Sequence, residues 1–89
     1  MRREMMNPKL IILTNNQILL SQIEEVGSEI GEPDCKLIFP YIVNQSSLDI
    51  EPWLSQVSAE STYMISSDKI LTITEPNEKL ISDYKELSK

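Results

Sequence analysis

Short apolar runs rich in β-branched residues, broken by polar turns, make up most of the chain. Lys9 to Thr14 (KLIILT) and Ile18 to Val26 (ILLSQIEEV) are the first two, with Thr14-Asn15-Asn16-Gln17 between them. This composition predicts two strands joined as a hairpin. Asparagine accepts positive φ, so Asn15-Asn16 suits a tight turn whose twist matches its strands. In the second run Leu20, Gln22, Glu24 and Val26 alternate against Leu19, Ser21, Ile23 and Glu25. Neither face is apolar throughout, which predicts one long, bent strand crossing two environments.

Gly27 to Asp34 (GSEIGEPD) holds both glycines and a proline and reads as a loop. Cys35 to Val43 (CKLIFPYIV) reads as a third strand, in which Pro40 has no N–H for a ladder and predicts an edge, a bulge or a bend. Over 44–60 two readings stay open. The spacing of Ile50, Trp53, Leu54 and Val57 suits one or two helical turns on the core, with Pro52 near their start. Alternatively the stretch is a long loop pinned by Trp53. Ser61 to Ile65 (STYMI) and Ile70 to Thr74 (ILTIT) read as two last strands around the turn Ser66-Ser67-Asp68-Lys69.

Glu75-Pro76-Asn77 ends the sheet, and Asn77 can cap a helix over 77–88. Leu80, Ile81, Tyr84 and Leu87 form its apolar stripe, which should pack on an open sheet face or on a neighbouring subunit. The expected organisation is therefore mainly β: a single domain with strands over 9–74, a closing helix over 77–88 and a flexible lead-in over 1–7.

Composition limits the chemistry. At 89 residues the chain supports one modest core, and chains of this size commonly gain stability from disulfides, metals or partner subunits. Cys35 is the sole cysteine and histidine is absent, so neither an internal disulfide nor a Cys/His zinc site is available. Self-association is the remaining supplement. A lone cysteine, no signal-peptide pattern and apolar runs too short for a bilayer point to a soluble, cytoplasmic protein.

Without histidine the commonest general base is missing, and Cys35 has no imidazole to activate it. Gly27 and Gly31 sit in an acidic loop without the Lys and hydroxyl pair of a phosphate loop. The carboxylates Glu24, Glu25, Glu29, Glu32 and Asp34 cluster there too, but their spacing matches no calcium loop and reads as a solvated acidic segment. No catalytic residue, cofactor or metal is expected. The net charge of −6 opposes a broad basic surface for nucleic acid.

The order of strand, tight turn, long bent strand, loop, strand and two short strands around a tight turn resembles the five-stranded Sm-like barrel, including its small phage and marine environmental members. Leu10 to Leu13, Asn15-Asn16, Gln17, Ser21, Ile23 and Val26 follow the family's first motif, with Asn16 in place of glycine and Gln17 where arginine is common. Ile65-Ser66-Ser67-Asp68-Lys69-Ile70 resembles the second, with Ser66 and Ser67 replacing arginine and glycine. Gly27-Ser28-Glu29-Ile30 stands where the family carries an Asp and Asn pair, and the helix is C-terminal rather than N-terminal.

The resemblance implies a strongly bent antiparallel barrel and a homo-oligomeric ring, formed when the fourth strand of one subunit pairs with the fifth of the next. It also implies a role in binding single-stranded RNA or DNA in the cytoplasm, within an infected host cell for the phage-like members. The residues it points to are the pore-side turn Ser66, Ser67, Asp68 and Lys69, with Lys36 as a second basic contact. Tyr41 and Tyr63 are the aromatic residues best placed to stack on bases. The rival expectation from the acidic charge is a homo-oligomeric protein-interaction module that leaves nucleic acid alone.

Overall fold

The computed structural model describes residues 7–87. The lead-in expected over 1–7 lies outside them except for Asn7, as does Ser88 at the helix end. Six strands and one helix follow in order: β1 (Lys9–Leu13), β2 (Ile18–Glu25), β3 (Cys35–Val43), β4 (Ile50–Pro52), β5 (Thr62–Ile65), β6 (Ile70–Thr74) and α1 (Glu78–Leu87). The chain is mainly β, with every strand pair antiparallel. The expected count of five strands is corrected to six: Ile50–Pro52 adds β4, which pairs Val43 with Ile50 and Tyr41 with Pro52.

The β1–β2 hairpin turns where the two asparagines predict it. Asn16 takes φ 73°, and the Asn15 carboxamide oxygen accepts from the Gln17 N–H at 3.0 Å. This is the side-chain-to-backbone bond that favours Asx residues in turns. The bend expected at Pro40 is a bulge: Leu20 faces Tyr41 and Gln22 faces Ile38, so the single residue Ser21 opposes both Phe39 and Pro40. Ser21, fully buried, gives its hydroxyl to the Gln22 and Ile38 carbonyls at 2.7 and 3.2 Å.

The bulge divides the outer side of β3 between two partners. Cys35 to Ile38 pair with β5, and Tyr41 to Val43 pair with β4. At the break the Phe39 N–H reaches the Ser61 carbonyl at 2.8 Å and the Trp53 N–H reaches the Pro40 carbonyl at 3.0 Å. The backbone groups freed by the bulge are thus satisfied by the chain entering and leaving the intervening loop.

The sheet has two apolar faces, each with its own core. On one, Leu20, Tyr41 and Val43 are covered by Leu80 and Tyr84 of α1. Tyr84 is fully buried, gives its hydroxyl to the Ile38 carbonyl at 2.9 Å and meets Tyr41 edge to face at 5.5 Å. The helix begins as expected, with the Asn77 carboxamide oxygen accepting from the Leu80 N–H at 2.9 Å. The other face curls on itself around Ile11, Leu13, Leu19 and Leu37, with Ile23, Ile42, Trp53, Ile65 and Ile70 at its border.

The curl follows from connectivity. Five strands run β5-β3-β2-β1-β6, and laid flat they would hold the outer two about 19 Å apart. Only Ser66–Lys69 joins those outer strands, and Ser67–Lys69 form a compact 3-10 turn. Five Cα steps reach at most about 18 Å when fully extended, and a 3-10 turn advances only about 2 Å per residue. The sheet must therefore bend until β5 and β6 converge at one end. They do not pair with each other, so the sheet is not closed.

Candidate functional site

The turn Ser66, Ser67, Asp68 and Lys69 stands at this convergence. Its backbone is fixed from two sides: Lys69 donates its N–H to the Ser66 carbonyl at 3.0 Å, and its own carbonyl accepts from the Thr14 N–H at 2.9 Å. The deciding contact comes from the end of the β2–β3 loop. Asp34 accepts from the Ser67 N–H at 2.7 Å through one oxygen and from the Ser67 hydroxyl at 2.8 Å through the other. The Ser67 hydroxyl, followed by its N–H, holds the Asp34 carboxyl below the ordinary aspartate range, as expected when hydrogen bonds favour the ionised form.

Gly31, Glu32, Asp34, Ser66, Ser67 and Asp68 enclose an open, mostly polar cleft of about 210 Å³ at this point. Three of the six are carboxylates. Lys36 is directed elsewhere: it is on β3 opposite Glu24 and Met64, and its ammonium group is 3.8 Å from the Glu24 carboxylate. The structure thus joins Ser66 to Lys69 in one turn, adds Asp34 to them and sets Lys36 against an acidic partner. Asp34 was legible only as part of an acidic loop, because the residue it clamps is 33 positions away.

The two tyrosines separate. Tyr41 is buried under α1 and belongs to the core, which removes it as a stacking platform. Tyr63 is half-buried and packs edge to face on Trp53, with ring centres 5.9 Å apart. Cys35 is buried at 5% exposure. Burial first, then the Asp34 and Glu25 charges, push its thiol above the usual range, which suppresses the thiolate needed for nucleophilic chemistry. Among the described residues no three Cys, Asp or Glu side chains converge to hold a metal, and no helix is long and apolar enough to cross a membrane.

The outer strands carry the other distinctive feature. β5 pairs only with β3 and β6 only with β1, so each offers one unpaired backbone edge. On β6, Leu71 and Ile73 are 64% and 49% exposed, and Met64 on β5 is 50% exposed. Ile73 faces Ile11 across the sheet, so the buried face runs out to this edge and stops uncovered.

A model of a family of unknown function, DUF6561, matches residues 6–89. The chain is a DUF6561 protein. The match takes in every strand and the helix of the DUF6561 fold described above. No curated protein matches the chain.

Proposed function

We propose that this DUF6561 protein is a non-enzymatic assembly module of Sm-like architecture, building a homo-oligomeric ring by pairing β5 of one copy with β6 of the next. The observation that carries this reading is the pair of unpaired outer edges, with Leu71, Ile73 and Met64 exposed beside them. Exposed edges of this kind template pairing with another chain unless charge, proline or a covering element blocks them. β6, Ile70-Leu71-Thr72-Ile73-Thr74, contains neither charge nor proline. Two edges at opposite ends of one curved row make a head-to-tail contact, which closes into a ring when the rotation allows.

Of the two uses for such a ring, a protein partner fits the turn better than single-stranded RNA or DNA. The Ser67 hydroxyl and N–H, donors that a phosphate would require, are already engaged by Asp34. A nucleic acid approaching there meets Glu32, Asp34 and Asp68 on a chain of net charge −6, which opposes the electrostatic attraction that dominates such binding.

Light scattering on a size-exclusion column tests both parts. The parent should elute as a closed oligomer, and the double variant Leu71→Lys, Ile73→Lys as a folded monomer by circular dichroism. A monomeric parent removes the reading. Adding labelled uridine-rich or adenine-rich strands at low and moderate salt should leave elution unchanged; salt-sensitive co-elution would return the ring to nucleic-acid binding.

A further inference from the structure

The loop between β4 and β5 leaves a second cleft at the bulge, apart from the clamped turn. Phe39, Tyr41, Trp53 and Tyr63 line it together with Pro40 and Pro52, and Glu60 supplies its only charge. Its volume of about 160 Å³ is below the roughly 300–1,000 Å³ of small-molecule sites, so it suits one anchoring side chain of a longer ligand. The Tyr63 hydroxyl donates to the Glu60 carbonyl, and the Trp53 and Tyr63 rings stand at 79° to each other. Two walls of the cleft are thereby fixed.

Phe39 is the telling residue. Its φ of 54° puts a bulky side chain in the left-handed region, where L-residues other than Gly and Asn are disfavoured. Yet the ring is 41% exposed, so this conformation does not place it in the core. The bulge opposite Ser21 and the bond from the Phe39 N–H to the Ser61 carbonyl hold this backbone, and they leave the side chain presented at the cleft. Trp53 reaches the cleft from the border of the core, packed against the cluster of Ile11, Leu13, Leu19 and Leu37.

We infer that this aromatic and proline-lined cleft docks an extended, proline-containing peptide segment that carries a basic residue. Left-handed polyproline segments have no internal hydrogen bonds and lose little entropy on docking, and aromatic-lined grooves are the surfaces that take them. The rings at the cleft would take a pyrrolidine, and the Glu60 carboxylate an Arg or Lys beside it. Charge complementarity fixes the sign: the cleft contains no cation and the chain has net charge −6. The inference is independent of the ring, because it concerns the gap between β4 and β5 rather than the outer edges.

Trp53 is the only tryptophan, so its emission reports on the cleft alone. The probe is a synthetic peptide with two Pro-x-x-Pro repeats flanked by arginines, and its control has alanine at each proline. The proline peptide should shift Trp53 emission saturably and bind at least about tenfold more tightly than the control. Phe39→Asn, whose side chain tolerates positive φ, should keep Tm within about 5 °C of the parent while weakening the peptide at least about tenfold. Glu60→Gln should flatten the salt dependence. An unchanged Trp53 emission, equal binding of both peptides, or full affinity in folded Phe39→Asn would overturn the inference. Running the same titration on the Leu71→Lys, Ile73→Lys protein separates this result from that of assembly.

Discussion

Both carboxylate oxygens of Asp34 accept from Ser67, and this one residue ties the acidic loop to the turn that joins the outer strands. The hydrogen bonds depress its folded-state pKa from the ordinary 3.8. Its contribution to stability is therefore complete above that value and is lost as pH falls through the lowered one. Thermal unfolding of the parent and of Asp34→Ala should differ at neutral pH, and the difference should shrink steadily below about pH 3.8. A difference unchanged down to the acid limit would show that the carboxylate is not the stabilising species. At this scale the sequence was partly legible. Asn16 and Pro40 announced their conformations, since each restricts its own backbone. Asp34 did not announce its partner, because that contact depends on how the sheet folds over.

Among the elements, α1 was the clearest in advance, and its cap gives a direct check. Asn77→Ala removes the acceptor for the Leu80 N–H and should cost about 1 kcal/mol in chemical unfolding, with the helix otherwise retained. The β-strands were legible from their β-branched runs, with β1 to β3 falling within a residue of the expected limits. The segment 44–60 was not. Its Ile50, Trp53, Leu54 and Val57 spacing suits a helical stripe, but Ile50 joins β4 and Leu54 takes φ 64°. The Leu54 carbonyl then accepts from the Val57 and Ser58 N–H groups in a single turn. Val57 is left 80% exposed while Trp53 borders the core. Of the two readings, the loop held by Trp53 is nearer, with a short strand added before it. Pairing with the far half of β3 decided the outcome, and periodicity within the segment carries no record of that pairing.

For the whole molecule, the bent antiparallel sheet with a closing helix was readable from strand order, and the sixth strand and the open join between β5 and β6 were not. The split of β3 at its bulge accounts for both: it makes room for β4 and sends β5 toward β6 without pairing them. If edge pairing joins copies, unfolding is linked to assembly, and Tm should rise with protein concentration. A Tm independent of concentration over a hundredfold range would count against a ring in equilibrium with its subunits.

The pairing of β1 with β6 also has a bearing on how the chain is made. Leu10 lies beside Thr74 and Ile11 beside Ile73, so one side of β1 stays bare until β6, about sixty residues further on, has left the ribosome. Contacts between distant parts of a chain form slowly, and the early hairpin must wait with an apolar flank, Leu10-Ile11-Ile12-Leu13, open to other nascent chains. The interval between the synthesis of β1 and of β6 is thus a period of exposure to misassembly, and it closes once β6 can pair.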